Sequence, residues 1–207
     1  ATLFAKYIDN PIERTIQASA TGSGQTITYF NNDSATLFGA EFEVLLQLSR
    51  INQRLEGFSF GFNTSLMITE ATVNKNRNGY FDTFEKRNLQ GASNWLINSD
   101  LKYEFDLNPN WKNTTSLVYG VYGERIYAVG VAGNDHIYEK PFHKLDFVWG
   151  SNINKKWDIK LSIDNILNPL YKRELGEDSK INIDEPSLLL ESYKRGVGFS
   201  TSLSYTF

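Results

Sequence analysis

The segment from residue 74 to residue 85 has the residue types and the spacing of a calcium-binding loop. Its oxygen-bearing side chains and its glycine fall at positions 1, 3, 5, 6, 9 and 12 of an EF-hand-like loop, and they are Asn74, Asn76, Asn78, Gly79, Asp82 and Glu85. Calcium takes about six to eight oxygen ligands, and the glycine lets the chain bend around the ion. However, only two of these side chains are carboxylates, and Lys75 and Arg77 add positive charge. The pattern predicts either a weak Ca²⁺ site or, more simply, a solvated loop rich in turn-forming residues.

The two histidines are the other side chains that could take part in acid–base chemistry. His136 and His143 lie in the segment NDHIYEKPFHK, with Asp135 and Glu139 close by. A catalytic acid, base or nucleophile needs partners within hydrogen-bond reach, and no such set occurs here at a typical spacing. Cysteine is absent from the sequence, so thiolate nucleophiles, thiolate metal ligands and disulfides are excluded. We expect no enzymatic activity and, apart from the possible Ca²⁺, no cofactor.

The elements that must position these residues are strands, because apolar and polar residues alternate with a period of two along the chain. The clearest alternating segments are residues 38–48, 58–69, 95–105, 157–164 and 193–207, and less regular ones are residues 1–18, 111–125 and 142–154. Together they predict about eight strands. Several exceed the length of about nine to eleven residues that a tilted membrane-spanning strand needs, whereas strands of soluble sheets usually have about five or six.

The connections between these strands alternate between short and long. Short links are expected at 49–57, 107–110 and 154–156, and longer polar loops at 73–89, 126–141 and 169–190, with a smaller one at 19–25. Short turns on one side and long loops on the other are typical of outer-membrane barrels, which have short periplasmic turns and long external loops. We therefore predict an all-β fold, an antiparallel up-and-down transmembrane β-barrel of which about eight strands are seen here.

Aromatic residues favour a membrane over water as the surrounding solvent. Alternation alone also fits a soluble sheet with one buried face. However, large aromatic side chains concentrate at strand ends beside the short links, where a bilayer interface would accept them, and they are Tyr103, Phe105, Trp111, Trp157, Tyr205 and Phe207. The net charge of −3 and the lack of a basic stripe argue against binding to nucleic acid.

Four stretches resemble a known family, the TonB-dependent outer-membrane receptors. IDNILNPLYKRE (163–174) resembles their penultimate-strand segment, FNNDSATLFGAEFEV (30–44) their strand in which Gly precedes Glu-x-Glu, and LQGASNWLINSDLKYEF (89–105) their Gln-Gly-x-Ser-x-x-x-x-Asn strand. The closing GFSTSLSYTF resembles the C-terminal signature by which outer-membrane barrels are recognised for assembly. The matches follow the family's order, and their wording is closest to receptors of the Bacteroidetes type. The resemblance implies that Leu203, Tyr205 and Phe207 form an assembly signal.

The resemblance also implies an architecture and partners. Such receptors have a barrel of 22 strands around an N-terminal plug domain, with a TonB box at the periplasmic N-terminus. Residues 1–207 would be the C-terminal segment of that barrel, without plug domain or TonB box. The expected location is the outer membrane of a Gram-negative bacterium. The expected partners are outer-membrane lipid, the remainder of the barrel and plug, TonB through the missing N-terminal part, and the barrel-assembly machinery.

The function implied is uptake of a nutrient such as a siderophore, a cofactor or a glycan, with the chain supplying barrel wall and external loops. Aromatic residues expected on the external loops are candidates for ligand contact, and they are Tyr80, Phe81, Tyr127 and Tyr138. Two alternatives remain open. One is a self-contained eight-stranded outer-membrane barrel with an anchoring or adhesive role, and the other is a soluble lipocalin-like binder with the apolar parity facing inward.

Overall fold

The computed structural model describes residues 1–18, 25–73, 86–131, 134–176 and 188–207. Within these ranges the strands are β1 (Thr2–Asp9), β2 (Ile12–Ala18), β3 (Gln25–Asn31), β4 (Ser34–Gln47), β5 (Phe58–Thr72), β6 (Lys86–Arg87), β7 (Trp95–Asn108), β8 (Trp111–Tyr122), β9 (Arg125–Gly130), β10 (Ile137–Glu139), β11 (Phe142–Ile153), β12 (Trp157–Asp164), β13 (Leu170–Leu175), β14 (Leu188–Lys194) and β15 (Gly198–Tyr205). Two 3-10 helices, Leu48–Arg50 and Gln53–Leu55, connect β4 to β5. In the part of the chain that is described, no helix is long and apolar enough to cross a membrane.

Nine of these strands form one sheet, which we call the wall sheet. Its order is β1-β4-β5-β7-β8-β11-β12-β15, with the short β6 paired to β5, and every neighbouring pair is antiparallel. The predicted all-β, antiparallel barrel architecture is confirmed as a partial barrel. Within the described residues the sheet is open, because β1 and β15 are its two edges and do not pair with each other. The described strands therefore do not close into the small eight-stranded barrel considered as an alternative.

The register of the wall sheet keeps apolar residues on one face and polar residues on the other. On β12, Leu161 lies opposite Trp149 of β11 and Thr201 of β15, whereas its neighbour Lys160 lies opposite Gly150 and Ser202. A slip of one residue between any two strands would turn a whole apolar set to the wrong face. We call the face of Leu161 the outward row and the face of Lys160 the inward row.

The outward row is exposed along the wall. Phe38, Ile68 and Phe199 lie on three different strands, and between 59% and 77% of each residue's surface is accessible. Apolar patches of this size are unfavourable in water and mark a surface that meets another apolar phase. The wall therefore requires lipid, or a comparable apolar cover, on its outward row.

Aromatic rings cluster at the end of the wall sheet that carries the short links. The rings of Phe58 and Tyr103 stack with centroids 4.2 Å apart, and those of Trp157 and Tyr205 lie 4.6 Å apart. The ring of Phe207 meets that of Tyr205 edge-on at 5.1 Å. Amphipathic rings at one level of a barrel are typical of a membrane–water interface.

The opposite end of the wall sheet differs from the expectation of long loops. Segments predicted as loops at 126–141 and 169–190 contain most of β9, all of β10 and β13 and part of β14, and these strands assemble with β2 and β3 into a six-stranded sheet. We call it the loop sheet, and its order is β14-β13-β10-β9-β2-β3. Its pairs are antiparallel except β2 with β9, which run parallel through Thr15 opposite Val129 and Ile16 opposite Gly130.

The segment predicted as one strand over residues 1–18 is instead broken after Asp9. Asn10 has a φ of 49°, and Pro11 follows it. A left-handed residue followed by proline, which has no backbone donor, interrupts the strand and redirects the chain. β1 therefore stays in the wall sheet, whereas β2 pairs with β3 and β9 in the loop sheet. A small core of Ile126, Val129 and Tyr138, at most 7% exposed, packs in the loop sheet.

Candidate ligand-binding surface

A buried carboxylate joins three separate segments at the base of the loop sheet. Glu13 on β2 is 2% exposed, and Arg87 on β6 donates to both of its oxygens, Nη1 to Oε1 at 2.9 Å and Nη2 to Oε2 at 2.7 Å. The backbone N–H of Gln90 donates to Oε1 at 2.8 Å, and the Asn32 side chain also donates to this carboxylate. A buried charge is tolerated when it is paired and fully hydrogen-bonded, as this one is. Glu13 thus ties β2 to β6 and to the segment after it.

The side chain of Gln90 continues this connection by acting like an extra peptide group between β2 and β9. Its Oε1 accepts from the backbone N–H of Arg14 at 2.7 Å. Its Nε2 donates to the backbone carbonyls of Arg14 at 2.7 Å and of Tyr127 at 2.9 Å. At Arg14 and Tyr127, β2 and β9 do not pair directly with each other. The Gln90 side chain therefore supplies the hydrogen-bond partners of these backbone groups.

The residues that follow Gln90 complete the joint. Gly91 has a φ of 76°, which favours glycine, and its N–H donates to the carbonyl of Ile126 at 2.9 Å. Ser93 Oγ lies 2.9 Å from the carbonyl of Trp95 and 2.8 Å from that of Gly123. The Gln-Gly-x-Ser stretch therefore has a structural role, which is to clamp the β5–β7 connection to β2 and β9.

A ladder of alternating charges crosses four strands of the loop sheet. In register, Arg125 on β9 lies opposite Glu139 on β10, Glu139 opposite Arg173 on β13, and Arg173 opposite Glu191 on β14. Arg125 Nη2 lies 2.8 Å from Glu139 Oε1, and Arg173 pairs with Glu191. Burial alone would raise the pKa of Glu139, but hydrogen bonds from Arg125 and Tyr122 hold that pKa below its ordinary value. Glu139 is therefore ionised at neutral pH and pairs with Arg125 as a charged group.

Guanidinium groups and phenol rings form a continuous row beside this ladder. The guanidinium carbon of Arg14 lies 4.4 Å from the centre of the Tyr127 ring, and that of Arg173 lies 3.6 Å from the same centre. Arg173 also lies 5.0 Å from the Tyr171 ring and donates to its hydroxyl from Nη2 at 3.0 Å. Arg195 lies 4.8 Å from the Tyr171 ring. Cation–π contacts of this kind hold arginine side chains in fixed positions.

The row is continuous with the inward row of the wall sheet. Tyr122 and Phe142 are cross-strand partners at the last rung between β8 and β11, on the polar, inward parity. Arg125 stacks on the Tyr122 ring at 4.2 Å, and Arg195 on the Phe142 ring at 4.9 Å. We call the set Arg14, Arg125, Tyr127, Tyr171, Arg173 and Arg195 the arginine–tyrosine surface.

The aromatic residues predicted to contact ligand fall in different places. Tyr127 is part of the arginine–tyrosine surface, whereas Tyr138 is 7% exposed and packs in the core with Ile126 and Val129. Tyr80 and Phe81 lie outside the described residues, as do the calcium-loop residues Asn74, Asn76, Asn78, Asp82 and Glu85. Ligand contact by the four aromatic residues and calcium binding stay predictions.

The two histidines serve local hydrogen bonds. His136 is buried, and its Nδ1 accepts from the backbone N–H of Gly130 at 3.1 Å. Close approach at this turn requires the glycine, because a Cβ there would lie 2.2 Å from the carbonyl oxygen of Asp135. His143 Nδ1 lies 2.7 Å from the Tyr119 hydroxyl.

The proposed assembly residues all lie at the wall sheet's last strand or just after it. Leu203 and Tyr205 lie on the outward row of β15, opposite Ile159 and Trp157 of β12, and Phe207 is fully exposed. Their recognition by assembly machinery stays a prediction.

Comparison with known proteins agrees with this architecture. A family model described as "TonB dependent receptor-like, beta-barrel" matches residues 1–166. The chain belongs to this family. Neither the curated proteins nor the solved structures gave a match.

Membership assigns the general role of this TonB-dependent receptor barrel. The family consists of outer-membrane receptors and transporters of Gram-negative bacteria rather than enzymes, and in general its barrels enclose a plug domain and work with TonB. The wall sheet is therefore a partial receptor barrel whose outward row faces lipid and whose inward row lines the lumen. The loop sheet lies at the end opposite the aromatic cluster and the short links, and in outer-membrane barrels the short turns are periplasmic and the other end is external.

Proposed function

We propose that this chain supplies the wall and the external ligand-contact surface of a receptor that imports a scarce nutrient such as a siderophore, a cofactor or a glycan. The observation that carries the proposal is the position of the arginine–tyrosine surface. It lies at the external end and joins the inward row at Tyr122 and Phe142. A solute captured there is already at the mouth of the lumen.

The barrel segment, the plug domain and TonB would have different roles in the complete receptor. Residues 1–207 act as the C-terminal segment of a larger barrel, and the free edges of β1 and β15 pair with strands of the remainder. The plug domain closes the lumen, and TonB, which reaches the receptor through its N-terminal part, supplies the energy that rearranges the plug. The barrel-assembly machinery inserts the barrel into outer-membrane lipid. The chain itself performs no chemistry, and its loop sheet presents fixed contacts to the solute.

Depletion of the growth medium tests this function, because it requires no assumption about which nutrient is imported. Cells with the receptor, cells lacking it and cells with the receptor but without TonB are grown in the same complex medium, and the remaining solutes are compared by mass spectrometry. We expect at least one solute to be removed only when both receptor and TonB are present. An unchanged solute profile together with lost surface adhesion in the receptor-less cells would instead support the adhesive alternative.

A further inference from the structure

Two guanidinium groups of the arginine–tyrosine surface have no carboxylate partner among the described residues. Among the described residues, Arg14 makes its hydrogen bonds through its backbone N–H and carbonyl, both with the Gln90 side chain. Its buried side-chain Nε has no hydrogen-bond partner within those residues. Arg195 is exposed and makes its side-chain contacts with the rings of Tyr171 and Phe142. Arg125 and Arg173, in contrast, are each bonded to a carboxylate. Within the described ranges, the row of stacked groups therefore has at each end a guanidinium without a carboxylate partner.

Among the described residues, the arginine–tyrosine surface and its ladder carry an excess of positive charge, although the chain as a whole is negative. The surface and its ladder carry four arginines against two carboxylates, and these residues are Arg14, Arg125, Arg173, Arg195, Glu139 and Glu191. The whole sequence has a net charge of −3. A concentration of one sign at the mouth of a low-dielectric channel attracts solutes of the opposite sign.

Stacking prepares these arginines for a particular kind of ligand. A ring face restricts the side chain of Arg14 or Arg195 while leaving its N–H donors unused. The planar fork of N–H groups matches the paired oxygens of a carboxylate or a phosphate. Because ordering entropy is already lost before the ligand arrives, such a contact binds more tightly than one made by a mobile surface arginine.

The position of the surface selects the source of the anion. Lipid headgroups would lie on the outward side of the barrel ends, whereas Arg195 stacks on Phe142 of the inward parity. The inner side points to an anion from the external solution rather than to a lipid headgroup.

From these observations we propose that the arginine–tyrosine surface binds a soluble organic anion through carboxylate or phosphate groups, with Arg14 and Arg195 as the pairing cations. This rests on the proposed uptake function and names the class of its solute. Tyr127 and Tyr171 are positioning residues, because they act by holding the guanidinium groups.

Equilibrium binding to the detergent-purified receptor, freed of lipopolysaccharide, tests the proposal. The probes are pyrophosphate and tricarballylate, with maltoheptaose as the uncharged control, and the variants are Arg14→Gln, Arg195→Gln and Arg195→Lys. Lys194→Gln is the matched control, since it removes the same charge one residue away and leaves the contacts of Arg195 with Tyr171 and Phe142 in place. We expect both anions to bind and the sugar not to bind. Each arginine-to-glutamine variant should weaken anion binding about tenfold or more, from the loss of charge-assisted hydrogen bonds. Lys194→Gln should change binding less than about threefold, as expected for an exposed charge, and Arg195→Lys should recover only part of the loss.

Three results would overturn the proposal. These are no anion binding by the unaltered receptor, an equal loss in Lys194→Gln and Arg195→Gln, and displacement of the probes by added lipopolysaccharide, which would make the leaflet the source of the anion. Heat-modifiable migration on a gel confirms that each variant is folded before it is titrated. A negative result here leaves the TonB-dependent depletion of the medium untouched, so the two proposals fail separately.

Discussion

Arg87 and Glu13 are 74 residues apart in the sequence, yet they form a bidentate ion pair in which both side chains are at least 96% buried. The pair fastens the segment after β5 to β2, and β2 in turn pairs in parallel with β9. Contacts between strands of the loop sheet therefore depend on a charge pair beneath them. The external end of this barrel is a packed structure with its own stabilising interactions, rather than a set of independent loops.

Removing the charge of Glu13 should loosen β2 from β9. We expect Glu13→Gln to destabilise the loop sheet by about 3–5 kcal/mol, the usual cost of breaking a buried ion pair. Hydrogen exchange of the amides of β2 and β9, with Gly130 left out because its N–H bonds to His136, measures this local opening. Glu70→Gln is the matched control, because Glu70 and Lys86 form an exposed pair at 2.8 Å, which is worth about 1 kcal/mol or less. Equal exchange in the two variants would contradict the role assigned to Glu13.

The Gln90 side chain should matter for its hydrogen bonds and not for its volume. Gln90→Met keeps the size but leaves the backbone groups of Arg14 and Tyr127 without this partner, at a cost of about 1–3 kcal/mol for each group that stays unsatisfied. We expect faster exchange in both β2 and β9. The same substitution at the exposed Gln53, in the turn at the other end of the wall, should leave exchange unaltered. Protection retained in Gln90→Met would show that direct pairing of β2 and β9 suffices.

The charge ladder predicts acid sensitivity of the pairing between β9 and β10. The folded-state pKa of Glu139 lies below the ordinary value of 4.5, so its stabilising contribution is complete above about 4.5 and is lost as the pH falls through the lower folded value. Hydrogen exchange of the β9 and β10 amides, corrected for intrinsic rates, should therefore become faster as the pH falls below about 4.5. Glu139→Gln should abolish this pH dependence. A rise of the same size in Glu139→Gln would assign the effect to other groups.

Part of this structure could be read from the sequence, because strand parity is a local property. The alternation around Leu161 and Leu203 predicts their shared face, and the register confirms it. Pro11, too, is a local signal for the break between β1 and β2. The joint between Glu13 and Arg87 could not be read, because it depends on contacts between distant segments. Nothing near Tyr138 distinguishes its buried ring from the half-buried ring of Tyr127 until β9 and β10 are paired.

The terminal residue should matter for assembly more than for the folded wall. Phe207 is fully exposed and touches the Tyr205 ring, so Phe207→Ser removes little packing. We expect it to lower the amount of receptor inserted in the outer membrane, as judged by heat-modifiable migration of membrane fractions. Thr206→Ser is the control and should insert normally. Undiminished insertion of Phe207→Ser would argue against an assembly signal at this end.

The orientation of the wall sheet is the central claim, and site-directed spin labelling tests it most directly. The sequence has no cysteine, so single cysteines at Lys160, Leu161, Ser202 and Leu203 of the receptor in lipid bilayers can be labelled without background from this segment. We predict that labels at Leu161 and Leu203 relax with dissolved oxygen, which concentrates in lipid, and that labels at Lys160 and Ser202 do not and are reached instead by a polar nickel reagent from the lumen. Equal accessibility at all four positions, or the opposite alternation, would contradict this orientation.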